Sequence, residues 1–257
     1  MEGAAKLPPI VNLLLLEPEE FRADGTARLS GRRARHAREV LGAEPGRHIR
    51  VGVVGGAMGE AEVLSSSKDD LWLAPRLHRE PPRPAPLQLL LALPRPKVLR
   101  RVLQAVAAMG LKRVVLCGSY RVERSYFGSP ALAPAALRSD LLLGLEQGRD
   151  TVLPEVKVRR LFKPLVEDEL DELLPAPMRL LAHPGSTGGL PPPLAAGEVA
   201  LAIGPEGGFT PYEVGLLESR GFAPFTLGER VLRVDAAVPF AAGKVLEWMG
   251  SARHPSG

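Results

Sequence analysis

The stretch VALAIGPEGGFTPYEV, Val199–Val214, joins three kinds of local signal in sixteen residues. VALAI is an uninterrupted apolar run, the pattern of a strand buried on both faces of a parallel sheet. Thr210, Pro211 and Glu213 form a helix start: a capping threonine, a proline at the first helical position, and a glutamate completing the Thr-x-x-Glu box. Gly221 suits the helix stop. Between strand and helix lie Gly204, Pro205, Glu206, Gly207 and Gly208. A strand, a glycine turn and a helix make an α/β unit, and ligands in such sheets sit beyond the carboxyl ends of the strands. Glycine lets a backbone approach a ligand closely. The spacing matches neither the dinucleotide fingerprint nor a P-loop, and Glu206 would repel a phosphate. From this loop alone, a cationic or neutral ligand and a tight connection with no ligand are equally good readings.

Working outward, other apolar runs alternate with helical stretches. Leu87–Leu93, Arg113–Cys117 and Met178–His183 read as strands. Pro96–Gly110, Pro134–Gln147, Phe162–Leu174 and a last segment near Phe240–Met249 read as helices. This predicts a parallel α/β sheet. Two further loops, LAHPGS (Leu181–Ser186) and FTLGERVLRVDAA (Phe225–Ala237), also follow strands or precede a helix. Three such loops at one sheet edge favour a ligand site over a bare connection.

The N-terminal part is different. His48–Val54 and Glu60–Ser65 flank the turn GGAMG, a hairpin signature. GGAMG also resembles a phosphate loop, but no helix and no Lys-Ser/Thr pair follow it. Asp70–Leu77 is the next candidate strand. Ser30–Gly42 reads as a helix capped by Ser30 and ended by Gly42. Short strands and one basic helix predict a small barrel. The segment REPPRPAP, Arg79–Pro86, holds four prolines in eight residues and reads as a stiff linker. The expected division is a barrel over 1–79, a linker over 80–86 and an α/β domain over 87–257.

Composition bounds the rest. The chain has 257 residues, enough for one large domain or two small ones. Val11–Pro18, VNLLLLEP, is too short for a membrane span and lacks the flanks of a signal peptide. Cys117 is the single cysteine, so an internal disulfide and a cysteine-based metal cluster are excluded, and a reducing cytoplasm is the expected location. No metal is expected. The net charge is only +4, but arginine is clustered. Arg28, Arg32, Arg33, Arg35, Arg38, Arg47 and Arg50 face only Glu39 and Glu44, and eight basic residues between Arg95 and Arg124 face Glu123 alone. Glu167–Glu172, EDELDE, supplies compensating acid. Such clusters are the footprint of a phosphate-rich partner, with Arg32, Arg33, Arg35, Arg38, Arg121 and Arg124 as candidate RNA contacts. With aromatic residues at 5%, extensive base stacking is not expected.

These motifs together carry a family resemblance. AIGPEGGFTPYEV (Ala202–Val214) and LGERVLRVDAAVP (Leu227–Pro239) closely resemble the C-terminal signature of the RsmE-type 16S ribosomal RNA uracil-N3 methyltransferases, of the SPOUT class. Arg35–Gly52, Ala92–Leu116 and Leu145–Val156 resemble further segments of that family, so the likeness covers almost the whole chain. The resemblance implies a PUA-like β-barrel followed by an α/β domain with a C-terminal trefoil knot. It implies S-adenosyl-L-methionine as methyl donor, a homodimer, and N3 of a uridine in small-subunit ribosomal RNA as target. The donor would be held by His183 and Pro184; by Gly204, Pro205, Glu206, Gly207 and Gly208; and by Leu227, Gly228, Val231, Leu232 and Arg233. Main-chain groups would read its adenine, and a sulfonium cation tolerates Glu206.

Arg233 is the candidate for stabilising charge on the uracil, and Asp235 or Glu206 for accepting the N3 proton or holding that arginine. Plainer roles stand beside these: Asp235 as a helix N-cap, Arg230 in a surface ion pair, His183 as a loop residue. The family's Thr-Glu-Thr-Ala is here Val234, Asp235, Ala236 and Ala237, and its N-terminal Val-Leu-Arg ends in Gly42. These departures bear on target choice more than on donor binding. A SPOUT methyltransferase with another RNA target, or a non-catalytic RNA-binding relative, are the alternative readings.

Overall fold

The computed structural model describes residues 13–192 and 197–253. The outer ends of the two expected domains, 1–12 and 254–257, lie outside the described residues. Two compact units emerge: one runs through Pro82 and takes in Leu145–Leu153, and the other comprises Arg83–Gly144 and the chain from Pro154 onward. Residues 80–86 contain no helix or strand.

The first unit is a barrel-like sheet of β1 (Leu14–Leu16), β2 (Ala27–Ser30), β3 (His48–Val53), β4 (Met58–Ser66) and β5 (Asp70–Arg79), in the order β1-β3-β4-β5-β2. β3 and β4 pair antiparallel across GGAMG, as the hairpin signature predicts. Irregular register between β4 and β5 occurs at Met58/Gly59 and Val63/Ser65, and such bulges bend a sheet. Alternate residues point inward, so Leu29, Val51, Val63, Leu71 and Leu73 meet Ala34 and Ala37 of α1 (Gly31–Leu41) in one core. Gly42 ends α1 in the left-handed conformation at φ 62°. Ser30 occupies the cap position, but its side chain makes no capping bond, contrary to the expectation for it.

The hairpin turn has a partner from far along the chain. Thr151, fully buried, donates its hydroxyl to the Gly56 carbonyl at 2.6 Å, and its own carbonyl accepts the Gly55 N–H at 2.8 Å. The Leu13 N–H donates to the Glu146 carbonyl at 3.0 Å. Burial lifts the Glu146 carboxyl above its usual range.

The second unit is a six-stranded parallel sheet: β6 (Leu87–Ala92), β7 (Arg113–Cys117), β8 (Glu155–Arg159), β9 (Met178–Ala182), β10 (Val199–Ile203) and β11 (Phe222–Phe225), in the order β11-β9-β10-β6-β7-β8. Every residue of β6 and β10 is buried, which explains why they are apolar throughout except for Gln88, whose side-chain amide donates to the Glu198 carboxylate. The helices are α2 (Pro96–Ala108), α3 (Pro134–Gly148), α4 (Phe162–Pro164), α5 (Leu170–Leu173), α6 (Pro211–Ser219) and α7 (Val234–Arg253). The sequence pattern predicts one continuous helix over Phe162–Leu174. Residues 162–173 are helical as expected, but the turn at Leu165–Glu169 between α4 and α5 is a π-helix, with Leu165, Val166 and Leu170 all buried. β8 alternates charged with apolar residues, and β11 is four residues with a proline inside, so pattern alone does not mark them.

The last helix starts six residues before the expected Phe240. Pro239 looks like a boundary, yet it lies inside α7. Val238, Ala241, Ala242 and Val245 form the buried stripe of this helix, which packs against α2 and β10. That packing outweighs the one backbone bond the proline removes. Cys117 is fully buried at the end of β7, and burial pushes its thiol far above the ordinary range.

Candidate active site

β9, β10 and β11 are neighbours and run parallel, so their carboxyl ends deliver three loops to one place. The loops enclose a cavity of about 500 Å³. The first supplies His183, Pro184, Ser186 and Thr187; the second Gly204, Pro205, Glu206, Gly208 and Phe209; the third Thr226, Leu227, Gly228, Glu229, Arg230, Val231 and Leu232. Val234 and Ala237 of α7 complete the wall. Ten of the twelve residues expected to hold the donor thus line one cavity. Gly207 and Arg233 do not.

Main-chain bonds tie the loops together. The His183 N–H donates to the Phe225 carbonyl at 3.1 Å, and the Thr226 N–H to the Gly188 carbonyl at 3.0 Å. Lys244 Nζ reaches back from α7 to the Thr226 carbonyl at 3.2 Å. The glycine loop closes on itself through Gly208 N–H to Pro205 O at 2.8 Å. Behind it the predicted capping box is present: Thr210 N–H donates to Glu213 Oε2 at 2.8 Å, and Glu213 N–H to Thr210 Oγ1 at 3.3 Å. Glu213 is buried and also accepts the Tyr120 N–H at 2.7 Å, joining the loop after β7 to α6. This long-range bond has no signature in the sequence.

The glycines have reasons internal to the loop. A Cβ on Gly204 would lie 2.9 Å from the Phe209 nitrogen, and Gly208 sits at φ +71°. Gly207 turns toward Arg121, whose guanidinium donates to the Gly207 carbonyl. So Gly204 and Gly207 are bare because the protein's own atoms approach them. Arg121, one of the expected RNA contacts, is engaged on this loop.

The cavity wall carries two carboxylates, Glu206 and Glu229, against Arg230. Among the described residues Arg230 pairs with no carboxylate, so the surface-pair reading finds no support there. Asp235 is not the helix N-cap. α7 begins at Val234, which puts Asp235 in the first turn, where an acid suits the helix dipole. Its carboxylate accepts from Arg101 Nη1 at 2.9 Å and lies 3.9 Å from Arg233 Nε. The Arg101 hydrogen bond, aided by the charge of Arg233, holds the Asp235 carboxyl below its ordinary range. The Arg233 side chain is 80% exposed. Nothing in the sequence singles out Arg101, Glu229 or Phe209 for this site. Arg101 belongs to the basic cluster of α2, but only the packing of α2 on α7 brings it to Asp235.

The remaining expected RNA contacts separate into two groups. On α1, Arg32 is exposed, whereas Arg33 is committed to the Glu20 carboxylate and the Leu15 carbonyl. Arg35 lies 3.4 Å from Asp69, and Arg38 donates to the Ser67 carbonyl at 2.7 Å. In the second unit, Arg124 is exposed and borders a separate cavity. Among the described residues there is no group of His, Cys, Asp and Glu arranged to hold a metal, and no helix long and apolar enough to cross a membrane.

Comparison with known proteins places this geometry. The RNA methyltransferase domain model matches residues 81–246. The ribosomal RNA small subunit methyltransferase E of Treponema pallidum is 31% identical over 247 residues, covering 92% of this chain and 91% of that protein. Ribosomal RNA small subunit methyltransferase E 1 of Borreliella burgdorferi is 24% identical, covering 88% and 94%. The crystal structure of a ribosomal RNA small subunit methyltransferase E from Neisseria gonorrhoeae, bound to S-adenosyl methionine, shares the fold with a TM-score of 0.67 at 19% identity, covering 91% and 97%. With the family model spanning most of the chain and a relative matched along almost its full length, the chain belongs to the RNA methyltransferase domain family, alongside the small-subunit methyltransferases E.

Proposed function

We propose that this protein is an S-adenosyl-L-methionine-dependent methyltransferase that modifies N3 of a uridine in 16S ribosomal RNA. The observation that carries the reading is the three-loop cavity. Its walls combine bare backbone, apolar side chains and two carboxylates against one arginine, a lining suited to an adenine nucleoside with a cationic centre better than to a free phosphate. About 500 Å³ is within the range of small-ligand sites.

In this reading His183, Pro184, Gly204, Pro205, Glu206, Gly208, Leu227, Gly228, Val231 and Leu232 hold the donor, with main-chain groups facing the adenine. The donor, when bound, supplies an electrophilic methyl group on a sulfonium sulfur. The protein's part is to position uracil N3 and to manage its proton. Arg233, largely exposed beside the cavity loops, stabilises the negative charge that develops on the base. Asp235 holds Arg101 and Arg233 in place. Its carboxylate is taken up by Arg101 and Arg233, whereas Glu206 lines the cavity, so Glu206 is the assigned proton acceptor. Arg32, Arg35 and Arg124 contribute exposed charge toward the RNA. The reading includes a PUA-like RNA-binding role for the first unit, a trefoil knot in the C-terminal loops, a homodimer and a cytoplasmic setting.

Calorimetry with S-adenosylmethionine and mapping of 3-methyluridine in a deletion strain test it. Binding of the donor and loss of one 3-methyluridine from 16S RNA are expected. Persistence of the modification without the gene refutes the target. The Val234-Asp235-Ala236 departure favours one alternative, a different RNA target; donor binding with unchanged 16S RNA would select it. Arg233→Ala should cut methyl transfer strongly while sparing donor affinity.

A further inference from the structure

A second cavity, of about 800 Å³, opens at the carboxyl ends of β7 and β8, on the same sheet edge as the donor cavity. Its walls come from Gly118, Ser119, Tyr120, Val122, Arg124 and Phe127 after β7, Arg160–Lys163 after β8, and the start of α6. The two cavities share a partition. Phe162 lines the second, Phe209 lines the first, and their rings meet at 5.4 Å between centroids.

Its surface chemistry is unusual for this chain. The protein has only three tyrosines, and all are here. Tyr120 and Tyr212 line the cavity while remaining 86% and 61% exposed, and Tyr126 lies in the 3-10 turn Arg124–Gly128 beside them. Large aromatic faces left in water need a reason. The exposed charge of the lining is basic. Arg124, Arg160 and Lys163 line the cavity, with Arg160 held over the Phe127 ring at 5.7 Å. The lining carboxylate, Glu213, is 3% exposed and already engaged by Thr210 and the Tyr120 N–H. Lys163 is 3.7 Å from Glu167, an exposed pair of little strength. Flat aromatic faces beside cations, with the one lining carboxylate buried and engaged, match a base with its phosphate better than a peptide or another protein surface.

We infer that this cavity binds an unpaired nucleotide of the RNA that flanks the target uridine, its base stacked on Tyr120 and Tyr212 and its phosphate near Arg124 and Arg160. The inference rests on the RNA methyl-transfer reading above and names a substrate subsite for it. A strand delivering one base to the donor cavity would continue across the Phe162–Phe209 partition into this one.

The test uses the full chain, a fluorescent single-stranded oligouridine RNA and anisotropy at fixed salt. Tyr120→Ala and Tyr212→Ala should each weaken RNA binding about 5- to 140-fold, the loss of one stacking platform. Tyr→Phe at either position should restore it, and S-adenosylmethionine affinity should stay at the wild-type value, reporting an intact fold. Irradiated 4-thiouridine RNA should crosslink to wild-type peptides containing Tyr120 or Tyr212. RNA affinity unchanged in both alanine variants, with crosslinks elsewhere, overturns the subsite and leaves the enzyme reading standing. Unchanged RNA affinity with a loss of self-association assigns the surface to a second copy and also overturns it. A wild-type protein that binds donor but no RNA overturns both.

Discussion

Gly204→Ala should cost the protein both stability and methyl donor, and the geometry sets the size. The added methyl would stand 2.9 Å from the Phe209 nitrogen, and 3.2 Å from both the Gly208 carbonyl carbon and Phe209 Cδ2. Two of these three atoms are backbone of the same closed loop, so no side-chain rotation relieves the contact. Overpacking of this kind costs ~1–3 kcal/mol. Removing a glycine also restricts the unfolded chain, which returns ~0.4–1 kcal/mol. The net expectation is a loss of about 1–2 kcal/mol, or roughly 2–8 °C in Tm for a chain of this size. Gly215→Ala is the internal control. It lies inside α6, and a methyl added there would meet nothing within 4 Å, so alanine should gain ~0.5–1 kcal/mol. Thermal unfolding of both variants gives the stabilities, and calorimetry with S-adenosylmethionine gives donor affinity. Opening the loop at Gly204 should weaken the donor about tenfold or more, whereas Gly215→Ala should leave it unchanged. A Gly204→Ala protein with wild-type Tm and donor affinity would refute the claim that this glycine is required by its own loop.

Glu213→Ala leaves the Tyr120 and Thr210 N–H groups without their acceptor; urea unfolding should report a loss of about 1–3 kcal/mol, with Glu213→Gln milder because one oxygen still accepts. Asp235 has a folded pKa below its ordinary value because of Arg101, so its contribution is present above about pH 4 and fades as pH falls through the lower folded value. The stability gap between wild type and Asp235→Asn should therefore be flat from pH 5 to 8 and close only at lower pH; a gap that vanishes near neutrality contradicts this. Arg33→Ala should lower Tm, since it strips Glu20 and the Leu15 carbonyl of their partner. Exposed Arg32→Ala should leave Tm unchanged and reduce the salt slope of RNA binding by about one.

What can be read from the residues is what short range dictates. The hairpin at GGAMG, the Thr210–Glu213 box, the stop at Gly42 and the apolar runs of β6 and β10 depend on neighbours within a few positions, and each is present. The loops after β9 and β10 are legible for the same reason, each following an apolar run that reads as a strand, whereas the third cavity loop follows β11, which pattern alone does not mark. Pattern misleads where tertiary packing overrides a local rule. Pro239 lies inside α7 because the buried stripe of that helix extends past it, whereas the π-helical turn at Leu165–Glu169 falls inside a helical stretch that pattern does mark.

Capping, turn chemistry and burial periodicity act between near neighbours, and they suffice to specify a β-rich unit and a parallel α/β unit; the residues expected around the methyl donor come from the family resemblance of the loop motifs, not from local pattern. Which distant groups meet is settled by the folded chain alone: Arg101 with Asp235, Arg121 with Gly207, Thr151 with the hairpin turn, and Phe162 with Phe209. Such pairs are separated by tens of residues and leave no period in the chain. It is sheet order and helix packing that bring them together, and with them the gathering of scattered tyrosines and arginines into one cavity.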